Sequence, residues 1–142
     1  MIHCLVVDDE LIALNGLMEH IRQICILQPV AECKSAPEAA GLLQKKQIDL
    51  IFIDMQMPKL TGIDFVKNAP VLPAVIFTTA YPEYTIEGHE LDVMDYLLKP
   101  ISFNRFLKVA MKAREFWVLR QIMKWRPPKI FSLSNQIKRL KK

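Results

Sequence analysis

Four short apolar runs each end in a residue that could do chemistry. Asp8-Asp9 follows Ile2-His3-Cys4-Leu5-Val6-Val7, and Asp54 follows Asp49-Leu50-Ile51-Phe52-Ile53. Thr79 follows Ala74-Val75-Ile76-Phe77-Thr78, and Lys99 follows Val93 to Leu98. Runs of this length and composition read as strands buried on both sides. In an open parallel sheet the carboxyl ends of the strands share one edge, and ligands bind along it. Three carboxylates, a hydroxyl and an ammonium would meet there. Ionised carboxylates held close repel one another, and a divalent cation relieves that repulsion. Oxygen donors without a Cys or His partner favour magnesium over zinc, and magnesium keeps positions open for phosphate oxygens. One carboxylate can then act as a nucleophile toward a phosphoryl group. The cation and Lys99 would offset charge on the equatorial oxygens, with Thr79 donating to one of them. Taken singly, each residue has a plainer reading. Asp-Asp is common turn chemistry, Thr79 a strand-end hydroxyl and Lys99 a solvated charge. The agreement of four strand ends carries the inference.

The elements between these runs must supply the sheet and its cover. Leu11, Leu14, Leu17, Met18, Ile21 and Ile24 fall on one helical face. Pro29 interrupts, and Val30 to Cys33 makes a brief second strand. Ser35-Ala36-Pro37-Glu38 is a capping-box pattern, starting a helix that runs to about Lys46. Met57-Pro58 opens a loop, with Gly62 in it or at the next helix start. Pro82 to Glu90 is predicted as a short helix. Ser102 can cap the last helix, whose apolar face is Phe103, Phe106, Leu107, Ala110, Ala113 and Trp117, and Trp125-Arg126-Pro127-Pro128 stops it. Five alternations of strand and helix predict an α/β fold: a doubly wound, five-stranded parallel sheet with helices on both faces.

Charge is distributed unevenly along the 142 residues. Residues 1–119 hold 11 Lys/Arg against 15 Asp/Glu, and residues 120–142 hold 8 Lys/Arg and no acid. The net charge of +4 therefore averages an acidic globule and a basic end, and the globule gives no reason to expect nucleic-acid binding. No run approaches the length of a membrane-spanning helix, and acids follow the first apolar run too soon for a signal peptide. The expected compartment is the cytoplasm, with no membrane partner. Cys4, Cys25 and Cys33 lack metal-ligand spacing and read as core thiols. Met55, Met57 and Met94 read as packing residues.

The residues Val7-Asp8-Asp9-Glu10, Ile53-Asp54-Met55-Gln56-Met57-Pro58, Gly62, Thr79-Ala80 and Tyr96-Leu97-Leu98-Lys99-Pro100 together resemble a two-component response-regulator receiver domain. The resemblance covers about residues 1–119. It implies the flavodoxin-like strand order 2-1-3-4-5, with Asp54 as phospho-acceptor and magnesium as cofactor. Asp8 and Asp9 match the family's acidic pair. Asp9, Asp54 and the backbone carbonyl of Gln56 are the implied direct ligands. Lys99 matches the lysine that pairs with the phosphoryl group, and the bond to Pro100 is expected to be cis. Thr79 and Tyr96 match the switch pair. The implied partners are a sensor histidine kinase and, on phosphorylation, a second copy joined through the fourth helix, fifth strand and last helix. Such a chain is a signalling domain with only self-phosphorylation and self-dephosphorylation chemistry, rather than an enzyme.

Ala80-Tyr81-Pro82-Glu83-Tyr84 and Glu90 to Phe103 resemble receivers of the LytTR group, whose usual output is a strand-rich DNA-binding domain. Too few residues follow Trp117 for that domain. Residues 120–142 are expected to be a basic helix end and tail, a linker stub to a missing output domain that alone would contact DNA. The alternative is a stand-alone receiver acting through protein contacts, and a degenerate receiver used only for docking is opposed by the full set Asp8, Asp9, Asp54, Thr79 and Lys99. A phosphatase with an aspartyl nucleophile would need an acid two residues after Asp54, where Gln56 stands. Nucleotide binding lacks any GxGxxG or GxxxxGK(S/T) loop. Direct nucleic-acid binding would rest on the charge of Ile137 to Lys142 alone, against the plainer reading of a fraying basic end.

Overall fold

The computed structural model describes residues 1–82 and 91–124. Within them, β1 (Ile2–Val7), α1 (Leu11–Arg22), β2 (Leu27–Cys33), α2 (Ala36–Lys45), β3 (Leu50–Asp54), α3 (Gly62–Asn68), β4 (Ala74–Thr79), β5 (Asp95–Leu98) and α4 (Phe103–Lys124) follow in that order. The strands form one sheet in the order β2-β1-β3-β4-β5, every pair parallel. This is the expected fold. The short helix expected from Pro82 to Glu90 lies, beyond Pro82, outside the described residues. So do the stop at Trp125 to Pro128 and the basic tail after it.

Successive strand residues point to opposite faces, and this builds two cores. Ile2, Cys4, Val6, Leu50, Phe52, Ile76 and Leu97 pack under α1 and α4. Leu5, Val7, Ile51, Ile53, Val75 and Phe77 pack with residues of α2 and α3. The apolar runs are continuous because both faces are covered. Met55 and Met57 are buried and Met94 packs against the first core, as expected.

Four details differ from the sequence reading. The second strand starts at Leu27 and runs through Pro29. Pro29 is tolerated because β2 is an edge strand, and its register against β1 shifts there, with Cys4 opposite Pro29 and Leu5 opposite Ala31. The fifth strand is shorter, Asp95–Leu98, because a turn closed by Val93 N–H on the Leu91 carbonyl precedes it. Leu11 and Leu107 are exposed rather than part of their helices' buried faces. Leu11 starts its helix at the sheet's carboxyl edge, where no strand residue remains to cover it. Cys25 is exposed, in the turn that follows α1, so only Cys4 and Cys33 are core thiols. Burial pushes the Cys4 thiol up to about 12 and that of Cys33 to about 11.

Three of the helix starts follow side-chain caps. Ser35 Oγ accepts from Glu38 N–H at 3.3 Å while Glu38 Oε2 accepts from Lys34 N–H at 3.4 Å. Thr61 caps α3 through Asp64 N–H, and Ser102 caps α4 through Arg105 N–H. The last helix buries Phe106, Val109, Ala110 and Ala113. Met111, Leu119, Ile122 and Met123 on the same helix are exposed. No helix among the described residues is long and apolar enough to cross a membrane.

Candidate functional site

The parallel sheet delivers the ends of β1, β3 and β4 to one edge, with Lys99 immediately after β5. Asp8 and Asp54 are almost fully buried, at 2% and 6% exposure, while Asp9 is exposed. One carboxylate oxygen from each of Asp8, Asp9 and Asp54 lies within 4.8 Å of the others. Lys99 reaches into this group from β5. Its Nζ lies 2.7 Å from Asp8 Oδ2 and 3.1 Å from Asp54 Oδ2. The remaining oxygens are held by backbone donors. Glu10 N–H donates to Asp8 Oδ1 at 2.9 Å, and Gln56 N–H to Asp54 Oδ1 at 3.1 Å. Asp9, Asp54, Gln56, Tyr81 and Lys99 line an open cleft of about 430 Å³, together with Glu10 and Ala80.

Two buried carboxylates thus share one ammonium, with the carboxylate of Asp9 beside them. Burial pushes the Asp54 carboxyl above the usual carboxylate range, against the Gln56 N–H and the Lys99 charge, and the Asp8 charge adds to the rise. Burial alone would lower Lys99, but its hydrogen bond to Asp8 and the charges of Asp54 and Asp8 raise it above the ordinary lysine value. The two groups are raised for different reasons, Asp54 chiefly by burial and Lys99 by the carboxylates around it, and both hold their protons tightly. A divalent cation would supply the missing charge, and an all-oxygen donor set suits magnesium. The residues present fit that ion.

Thr79 is fully buried at the end of β4. Its Oγ1 accepts from Tyr81 N–H at 3.0 Å and lies 3.3 Å from the Tyr81 carbonyl as a donor. The hydroxyl therefore engages the chain leaving β4. Tyr96 stands apart from the cleft, half-buried on β5, with its ring 6.0 Å from that of Phe77. Burial raises its phenol above the ordinary tyrosine value. The Lys99-Pro100 peptide is cis.

The loop after β3 is shaped by two backbone features. Lys59 has a φ of 70°, in the left-handed region. Gly62 N–H donates to the Met55 carbonyl at 3.1 Å, and a Cβ on Gly62 would run into the carbonyl of Asp54. Glycine is required here for close backbone approach rather than for its dihedral freedom. Gly62→Ala is therefore expected to displace the end of β3 and cost about 1–3 kcal/mol, measurable by urea unfolding.

Glu10 was not singled out by sequence reasoning as a site residue, although it completes the acidic run Asp8-Asp9-Glu10 and lines the cleft. The assignment of the ammonium to Asp8 as well as Asp54 also had no signal in the sequence. It depends on the register of β5 against β4, which pairs Leu98 with Thr79 and places Lys99 one residue beyond.

A family model described as the response regulator receiver domain matches residues 4–111. The transcriptional regulatory protein BtsR of Escherichia coli is 36% identical over 117 residues, covering 81% of this chain and 49% of BtsR. An uncharacterized response regulatory protein of Shewanella oneidensis is 34% identical over 117 residues, covering 81% of this chain and 50% of its own. The chain spans about half the length of the curated relatives it matches. Among solved structures, the REC domain of AraT, a response regulator from Geobacillus stearothermophilus, superposes with a TM-score of 0.75 at 33% identity, covering 84% of this chain and 97% of that one.

Proposed function

The chain belongs to the response-regulator receiver family, and on that premise we propose that Asp54 accepts a phosphoryl group from a sensor histidine kinase. Receiver domains are signalling domains rather than enzymes in the ordinary sense. The observation that carries the reading is the cleft itself: Asp54 opens into it beside Asp9, and Lys99 bridges Asp54 to Asp8. In the transfer, an Asp54 carboxylate oxygen forms a bond to phosphorus. The bond from phosphorus to the donor atom breaks, and the donor keeps the electron pair. Lys99 holds an equatorial oxygen. Asp9, Asp54 and the Gln56 carbonyl would hold magnesium, with Asp8 beside them, and the ion would neutralise developing charge on the phosphoryl oxygens.

Thr79 and Tyr96 form the switch in this reading. The Thr79 hydroxyl exchanges its bonds with Tyr81 for one to the phosphoryl group, and Tyr96 turns inward behind it. A new dianion biases a two-state element. Arg105 ties β5 to α4 through Asp95 at 3.3 Å and the Tyr96 carbonyl at 3.1 Å, so a move of Tyr96 is felt on the last helix. Exposed Met111, Leu119 and Ile122 on α4 give that face apolar surface for a second copy. The receiver spans residues 1–119, and residues 120–142 lead toward an output domain of the LytTR type that binds DNA in a full-length regulator. The three free cysteines suit a cytoplasmic setting. The second reading, a receiver acting alone through protein contacts, uses the same site and switch.

Acetyl phosphate with magnesium is expected to add one phosphoryl group per chain by intact mass, mapped to Asp54 after reductive cleavage. Sedimentation should then report dimer formation. Labelling on another residue, or none with magnesium present, overturns the reading.

A further inference from the structure

His20 lies on α1, outside the cleft, and the function described so far gives it no role. Its Nε2 is 2.8 Å from the carbonyl oxygen of Ile101. A carbonyl only accepts, so Nε2 carries the hydrogen. The ring packs against Phe103 and Phe106, with centroids 5.6 and 5.4 Å away. Nδ1 is buried and, among the described residues, has no hydrogen-bond partner. A stranded buried nitrogen is a cost, and a leucine would fill the same space without it. The ring is explained by its other nitrogen.

That nitrogen holds Ile101, two residues after Lys99. The Lys99 N–H is itself held by the Thr79 carbonyl at 2.8 Å. The segment Lys99-Pro100-Ile101 is therefore fixed at both ends, by β4 on one side and by α1 on the other. Buried Leu14, Leu17, Met18 and Ile21 anchor α1 on the sheet. We propose that His20 is a positioning residue: it fixes the Lys99–Ile101 segment and so aims the Lys99 ammonium at Asp8 and Asp54. The proposal rests on the reading of Asp54 as the acceptor, in which Lys99 holds a phosphoryl oxygen.

The test is the rate of labelling of the full chain by acetyl phosphate and magnesium. His20→Leu keeps the bulk and loses the donor. It is expected to label about tenfold more slowly, inside the hundredfold that a misplacement of about 1 Å can cost. His20→Gln keeps a donor at similar reach and should recover most of the rate. In a Lys99→Met background, His20→Leu should change the rate by less than about twofold, because residues acting through one another are not additive. A purely structural role would slow both backgrounds alike. Wild-type rates in His20→Leu, no rescue by Gln, or a full tenfold loss without Lys99 each overturn the proposal. Should His20→Leu fail to fold, His20→Asn, whose amide is too short to reach Ile101, takes its place against His20→Gln. An unlabelled wild type overturns the acceptor reading itself, and a labelled one with unaffected variants overturns only the role of His20.

Discussion

Asp54→Asn is expected to abolish phosphoryl uptake and at the same time make the folded chain more stable at neutral pH. The two effects have separate causes. The amide is close in shape to the carboxylate, and its single oxygen can still accept from the Gln56 N–H; its NH2 takes the place of Oδ2 and leaves the Lys99 ammonium to Asp8. The amide is no nucleophile toward phosphorus, so labelling by acetyl phosphate should fall below detection in intact mass. The gain in stability follows from the direction of the Asp54 shift. Burial, first of its causes, holds the folded carboxyl above its ordinary range. A group raised in this way favours folding at pH values below its unfolded pKa and loses that contribution as pH rises through its folded pKa. At neutral pH the ionised Asp54 is therefore a net cost, which the uncharged amide removes. Urea unfolding without magnesium should show the variant ahead of the wild type at pH 7, and the gap should close as the solution is acidified through the folded pKa of Asp54. Undiminished labelling of the variant would sink the assignment of the acceptor. A variant less stable at pH 7 would contradict the account of the charge imbalance. The pairing of lost chemistry with gained stability is what a strained functional site predicts.

How much of this was legible in the sequence depends on what each feature needs. Strands β1, β3 and β4 were readable because an apolar run that is buried on both faces looks the same wherever it occurs. Their order was not contained in any one run, since it depends on crossover geometry, and it came from the resemblance. The start of β2 was hidden by Pro29, which reads as a breaker until the strand is known to lie at an edge. The capping of α2 by Ser35 was visible because all its parts are local. The exposure of Cys25 and Leu11 was not, because neither spacing nor residue type says where a helix overhangs the sheet. At the site, strand ends told which residues meet. Distances among them, and hence the sharing of Lys99 between Asp8 and Asp54, required the relative heights of strands far apart in the chain. His20 had no motif around it. Its contact with Ile101 crosses 81 residues, and no local pattern encodes such a pair.

Removing the ammonium is the complementary test, with the opposite sign. Lys99→Met keeps a long apolar stem and deletes only the charge. The side chains of Asp8 and Asp54 are 3% and 8% exposed, so the variant leaves two carboxylates buried beside Asp9 with no cation. Breaking a buried pair from one side typically costs about 3–5 kcal/mol, a large part of a typical domain's stability. We expect a loss of that size by urea unfolding in the absence of divalent ions. The sign with pH is fixed by the raised Lys99 value, set by its Asp8 hydrogen bond and the carboxylate charges despite burial. A raised lysine contributes its full stability below its unfolded pKa and loses it as pH rises through the folded one. The deficit of the variant should thus be complete at pH 7 and shrink only at alkaline pH beyond the ordinary lysine range. Magnesium should then separate the two chains. An ion that binds only the folded state stabilises by about 1.4 kcal/mol at ten times its Kd. In the wild type the ion competes with an ammonium already seated on Asp8 and Asp54. In Lys99→Met that competitor is gone, so the same magnesium concentration should restore more stability to the variant than it adds to the wild type. Phosphorylation should remain possible in the variant but slower, and it should no longer drive dimer formation in sedimentation. Equal gains from magnesium in both chains would mean that the ion does not sit among the carboxylates that Lys99 holds.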